Sequence, residues 1–402
     1  MKLAASVIAL LPICAHSAFA QSDAIRNIGV FVSVQESYED NVLRQPDAFP
    51  SPPGFSRDDF RLSPSLNVDI IQPVGRQKLT LLGGVGYDFY RRNSRLERER
   101  INLAAKANLA VGADCKPDIG LAFSRQQSDL ADFFSVTDFR LRNREQRLTF
   151  SSGLKCGGII GLKPGVTFER SIVKNSSFFR KIGNFNSTAV GVSVGYVNPT
   201  LGELSLFGNY RRGNYPNRGA FTGRPNVNER VGVYTGGVRL QREIGERLKG
   251  NISLGYTVAE PSVAGTRRFS GISGSADLTA QLSDPLQVVI GFSRSVQQSN
   301  QLDVSFTVND SYNINASYIL NPRVVLTAGA ARNRRKLRDS PLLQPNLLGS
   351  NDRTTQLFGG IRFSPAGPIS FSLNGTKSTR RSQARFFDYD ASTVSLGVNF
   401  NI

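Results

Sequence analysis

Cys115 and Cys156 are the two cysteines that remain once residues 1–20 are set aside as a leader, and what surrounds them limits their chemistry. The only histidine, His16, and the only methionine, Met1, fall in that leader, and the chain has no tryptophan. Metal binding and proton transfer thereby lose the side chain they use most. A Ser-His-Asp hydrolase, a His-assisted barrel protease or phospholipase and a His-bearing zinc site are all excluded. Carboxylate pairs could still cleave glycosides, but no acidic residues stand out from a scattered background. The reading is non-enzymatic, with no cofactor and no metal. For the cysteines that leaves a disulfide, which depends on the elements that carry them.

Those elements are strands. Period two runs through nearly the whole chain, as β-structure requires. From Ser305 to Tyr318 one face carries Ser305, Thr307, Asn309, Ser311, Asn313, Asn315 and Ser317. The other carries Phe306, Val308, Tyr312, Ile314, Ala316 and Tyr318, and only Asp310 interrupts it. Phe60, Leu62, Leu66, Val68 and Ile70 separate in the same way from Arg61, Ser63, Asn67 and Asp69. Such strands need an apolar medium on one side and water on the other. No stretch of about 20 apolar residues follows the leader, so no membrane helix is expected.

The connections sort by length. Short links with Gly or Pro recur at Pro73-Val74-Gly75, Asp114-Cys115-Lys116-Pro117, Cys156-Gly157-Gly158, Asn198-Pro199, Ile244-Gly245, Ser283-Asp284-Pro285, Asn321-Pro322 and Pro365-Ala366-Gly367-Pro368. Longer polar links lie between them, among them 43–59, 128–143, 213–228 and 336–351. A soluble sandwich has no reason to alternate its links, whereas a transmembrane barrel has short periplasmic turns and longer extracellular loops. The count gives an all-β, antiparallel transmembrane β-barrel of about eighteen strands, in one domain over residues 21–402. A barrel that wide encloses water unless loops fold into it.

In this arrangement Cys115 opens one strand and Cys156 closes the next, at the periplasmic base of a hairpin. Opposed antiparallel residues lie within disulfide range and the periplasm is oxidising, so a Cys115–Cys156 bridge is predicted.

Both ends of the chain agree with export. Lys2, an apolar run from Leu3 to Ile13, and Ala18-Phe19-Ala20 lay out a Sec-type signal peptide over residues 1–20. The final residues alternate, with Ser395, Gly397, Phe400 and Ile402 at the spacing of the C-terminal assembly signal of outer-membrane barrels, which they resemble. That resemblance implies the barrel-assembly machinery as a partner and the cell outer membrane as the location.

A family resemblance is carried by Glu36-Ser37-Tyr38-Glu39-Asp40-Asn41-Val42 and by Asp58-Asp59-Phe60-Arg61-Leu62-Ser63-Pro64-Ser65-Leu66. They resemble the opening hairpin of the putative β-barrel porin 2 family, over the first seventy residues. The resemblance implies an outer-membrane passage associated with exopolysaccharide secretion, with periplasmic export components as partners.

The charge adds its own expectation. Lys plus Arg number 49 against 31 Asp plus Glu, formally +18, which points to anionic partners such as lipopolysaccharide or acidic polysaccharide. Nucleic acid is not expected, because the basic residues lack the aromatic interleaving of a single-strand binder. By parity Arg61, Lys78, Lys106, Arg147, Lys155, Lys163, Arg211, Arg239 and Arg362 face inward against Asp69, Asp88, Glu169 and Asp277. A net basic lumen of this kind favours anions. The alternative is a structural or adhesive barrel with a loop-plugged lumen. Outside, the run Arg332-Asn333-Arg334-Arg335-Lys336 is expected at a strand-to-loop boundary, at the level of outer-leaflet phosphates.

Overall fold

The computed structural model describes residues 26–112, 114–127, 143–221, 228–263, 266, 268–299, 304–339, 351–383 and 385–402. The expected signal peptide lies outside them. Eighteen strands follow in order: β1 (Asn27–Glu39), β2 (Asp59–Val74), β3 (Gln77–Tyr90), β4 (Arg98–Asn108), β5 (Cys115–Gln127), β6 (Arg144–Cys156), β7 (Gly161–Asn175), β8 (Phe185–Asn198), β9 (Gly202–Tyr215), β10 (Glu229–Ile244), β11 (Leu248–Pro261), β12 (Phe269–Ser283), β13 (Leu286–Gln298), β14 (Val304–Asn321), β15 (Val324–Asp339), β16 (Asn351–Phe363), β17 (Ile369–Ser382) and β18 (Tyr389–Asn401).

Each strand pairs antiparallel with the next, and β18 pairs with β1 to close an 18-stranded barrel. Closure matters physically because an unpaired strand edge in hydrocarbon would leave every second backbone group unsatisfied. The seam runs from Phe31 opposite Asn401 to Glu39 opposite Thr393, and the Ile402 N–H donates to the Val30 carbonyl at 2.8 Å. Of the terminal residues singled out by sequence, Ser395 and Gly397 oppose Ser37 and Gln35, and Phe400 opposes Val32.

Register settles which residues share a face. Val32, Leu66, Leu81, Val192, Leu254 and Leu396 are exposed, and all lie on the outward parity. Exposed aliphatic side chains on one face of a closed sheet are what a hydrocarbon surrounding stabilises. Aromatic pairs on the same face join neighbouring strands, with ring centroids 5.0 Å apart for Tyr38–Phe60, 5.1 Å for Phe292–Tyr312 and 6.4 Å for Phe363–Phe371. No helix of the described residues is long and apolar enough to cross a membrane.

Periplasmic links are tight. Val74 pairs with Gln77 across a two-residue turn in which Gly75 takes φ 60°, a left-handed conformation that favours glycine. One expected turn shifts: the link before β5 spans 109–114, and Cys115, Lys116 and Pro117 already belong to the strand. Cys115 and Cys156 are direct register partners on the outward face, joined by an S–S bond of 2.11 Å with Cα atoms 4.0 Å apart.

At the extracellular end the loop over residues 40–58 is ordered by its own small core. Val42, Leu43, Phe55 and Leu96 are buried together, against inward-facing Tyr90. Asn41 donates to the carbonyls of Gln45 and Asp390 at 2.7 and 2.9 Å, and the Asp59 carboxylate accepts from the Arg92 and Asn93 N–H groups.

Candidate functional site

The lumen is the concave face of the molecule. Its wall over β11–β18 is built from small polar side chains, among them Ser253, Ser275, Asn313, Asn315, Thr327 and Asn374. Hydroxyls join across strands: Thr235 to Thr257 at 2.8 Å, Thr257 to Ser273 at 2.6 Å, and Ser33 to Ser65 at 2.6 Å. A surface of hydroxyls and amides donates and accepts without fixing a charge, so it wets readily and holds polar solutes weakly.

The basic residues singled out by parity take inward register positions, but they are not equivalent. Arg147 lies 3.6 Å from Glu145, Arg211 3.6 Å from Glu169, and Lys155 3.9 Å from Glu203. Arg239 lies over the Phe207 ring at 5.1 Å. Arg61 points beside Tyr90 and Asp88, its register neighbours on the same face. Lys78, Lys106, Lys163 and Arg362 form no ion pair among the described residues. The three lysines lie near the periplasmic ends of β3, β4 and β7. Inward Lys116, at the start of β5, belongs with them and was missed because that strand begins earlier than its turn residues suggest.

Acids on the inward face were also missed, notably Glu39, Glu145, Glu203, Glu229 and Asp352. They sit at strand ends, where parity read from sequence is least secure. The bases Arg98, Arg100, Lys249, Arg335 and Arg380 take inward register positions as well, so the lumenal face keeps a reduced basic excess. A large share of the positive charge is instead outside, at Arg170, Lys174, Arg212, Arg332, Arg334 and Arg353, all exposed on the outward parity near extracellular strand ends.

The main lumenal structure that sequence did not reveal is an inward-folded hairpin. The tip of β13–β14 does not continue the wall upward. It bends inside and lies against the inner face of β7–β12. Val296, Phe306 and Val308 pack with Val173, Phe185, Tyr215, Val231, Val233 and Ala259, and Phe269 adds to the same cluster. These tip residues share the parity of Phe292, Tyr312 and Ile314 lower on the same strands, which face lipid. One face of the hairpin thus meets hydrocarbon below and the barrel's own wall above. Asp310, the polar interruption, sits at the change of surroundings and pairs with opposite Arg294 through two hydrogen bonds of 2.5 and 2.9 Å.

A buried polar latch fixes the tip. Arg218, in a helical turn over Arg218–Phe221, pairs with Glu229 at 2.9 Å, and both side chains are fully enclosed. The guanidinium also donates to the Ser299 and Val304 carbonyls and lies over the Tyr215 ring at 3.7 Å. The Tyr215 hydroxyl donates to the Ser305 carbonyl and accepts from the Ser299 N–H, each at 2.8 Å, while the Ser305 hydroxyl donates to Glu229 at 2.5 Å. Removing these two charges from water is costly unless every hydrogen-bonding group is met, and the tip backbone meets several. A second enclosed cluster joins Arg335 and Arg380 to Asp352 at 2.6 and 2.7 Å on β15–β17.

The described residues hold no group of three or more His, Cys, Asp or Glu placed to bind a metal.

Residues 222–402 match the family model described as Putative beta-barrel porin 2, in the opposite half of the chain from the hairpin that carried the sequence resemblance. No curated protein matches the chain. Among solved structures, OccK2 (OpdF) of Pseudomonas aeruginosa aligns with 94% of this chain and 98% of its own at 9% identity, TM-score 0.49. A BenF-like porin from Pseudomonas fluorescens Pf-5 aligns with 94% of this chain and 100% of its own at 9% identity, TM-score 0.48. OccK11 (OpdR) of P. aeruginosa has 14% identity over 93% and 96%, TM-score 0.44.

Proposed function

We propose, for a chain that is a porin-like outer-membrane β-barrel carrying the Putative beta-barrel porin 2 model over residues 222–402, that the lumen is a passive, anion-favouring channel for a hydrophilic cargo such as an acidic exopolysaccharide. The observation that carries this reading is the arc of Lys78, Lys106, Lys116 and Lys163 at the periplasmic mouth, inward-facing and without an ion pair among the described residues. Unpaired ammonium groups around a water-filled mouth raise the local concentration of anions and lower that of cations. Beyond the mouth, the hydroxyl and amide wall suits a polyhydroxylated chain, which can exchange hydrogen bonds with it repeatedly and leave.

Planar-bilayer recording tests the reading. Wild-type protein is expected to give stable ionic steps with a reversal potential on the anion side under a salt gradient. Replacing Lys78, Lys106 and Lys163 together by Glu is expected to move that potential toward cations while the barrel still assembles, because inward positions tune selectivity without touching lipid. An unchanged potential sinks the anion-favouring reading. The inward hairpin favours one other reading, a structural or adhesive barrel without throughput, for which protein inserted in the bilayer gives no ionic steps.

A further inference from the structure

The outward face carries a feature that the lumen does not explain. Register places Arg294, Asp310, Arg334, Arg353 and Arg381 directly opposite one another across five neighbouring strands, β13 to β17. The acids at its edges are engaged: Asp310 is held by Arg294, and Asp390 of β18 accepts from Arg381 at 2.7 Å and from the Thr379 hydroxyl at 2.7 Å. In the middle, Arg334 and Arg353 are immediate register partners, both exposed and neither in an ion pair among the described residues. Arg332 lies one step lower on the same face, beside Tyr312. Like charges directly opposite on one sheet face are destabilising, and charge on a lipid-facing position is tolerated only toward the interface. The row therefore calls for an external anion.

Height in the membrane identifies which anion. Arg353 stands ten residues above Phe363 on β16, and Phe363 forms the periplasmic aromatic pair with Phe371. At about 3.4 Å per residue along strands tilted about 40°, that is roughly 26 Å, close to the apolar band of about 25 Å that such barrels present. Beneath the row the same face is exposed and aliphatic at Leu357, Ile361 and Leu373. Guanidinium groups in a row above a greasy wall match an amphiphile with phosphates at its head and acyl chains below, since arginine binds phosphate through paired hydrogen bonds.

We infer that Arg334 and Arg353, flanked by Arg332 and Arg381, form a binding site on the outside of the barrel for the phosphates of an outer-leaflet glycolipid. The site is independent of what the lumen carries. It is tested by titrating fluorophore-labelled, bisphosphorylated lipid A into purified protein in non-ionic micelles. Wild type is expected to bind at least about tenfold more tightly than the R334Q/R353Q double variant, and to lose the same margin when lipid A is dephosphorylated. An R170Q/R212Q variant, altered on the outward face of β7 and β9, is expected to keep wild-type affinity. Equal binding by wild type and R334Q/R353Q overturns the inference, as does equal binding of both lipids or an equal loss in R170Q/R212Q. Displacement of the lipid by inorganic phosphate at matched concentration overturns it in favour of a free-anion site. Heat-modifiable migration reports folding, and if the double variant does not fold, R353Q alone carries the same comparison.

Discussion

Glu229 accepts from both Arg218 and Ser305, so a single carboxylate ties the loop after β9 to the tip of the inward hairpin. Truncating one partner of an enclosed ion pair leaves the other charge unmatched and costs about 3–5 kcal/mol. Glu229→Ala is therefore expected to release the tip and raise single-channel conductance, with barrel assembly intact by heat-modifiable migration. Unaltered conductance in assembled protein would mean the tip does not limit the current. Tyr215→Phe offers a milder step: it removes two hydrogen bonds to the tip backbone, worth about 1–3 kcal/mol in an enclosed site, and is expected to increase current fluctuations without the full rise seen for Glu229→Ala.

Among the elements, β13 and β14 show what alternation can and cannot reveal. Ile314 and Phe306 share a parity, but Ile314 is exposed toward lipid and Phe306 is enclosed within the barrel. Ile314→Arg is expected to cost about 2–4 kcal/mol through the bilayer and to lower folding yield in lipid vesicles. Phe306→Arg puts an unpaired charge into the enclosed cluster, so it is expected to free the tip into the water-filled lumen and alter conductance, with a smaller loss of that yield. Unchanged conductance in assembled Phe306→Arg protein would place that residue away from the lumen. The eighteen strands were legible because period two and the alternation of link lengths both follow from local chain chemistry. The hairpin's course was not, because hydropathy marks Val296, Phe306 and Val308 as apolar without saying what covers them. The available signal was Asp310, the one flaw in an apolar face, with Arg294 directly across from it. The inward acids Glu145, Glu229 and Asp352 were missed for a related reason, each being the first or second residue of its strand, where parity read from sequence is least secure.

For the molecule as a whole, the wall separates two chemistries, and the Cys115–Cys156 bridge lies on its lipid side. The bridge closes a loop with a sequence separation of 41 and adds about 4 kcal/mol in the chain-entropy model. Cys115→Ser with Cys156→Ser is expected to lower the denaturation midpoint in detergent while ion selectivity stays unchanged. Because the sulfurs face away from the lumen, whatever diffuses through the barrel never meets them, and strand pairing holds them at the periplasmic rim, at the first residue of β5 and the last of β6. Oxidation is expected as the hairpin forms, before insertion, while the chain still lies open to periplasmic oxidants. The hairpin of β5 and β6 would reach the membrane already stapled, a prefabricated part rather than a late repair. Chains stalled short of insertion and alkylated without reductant should already carry the bridge, and free thiols at that stage would reverse this order of events.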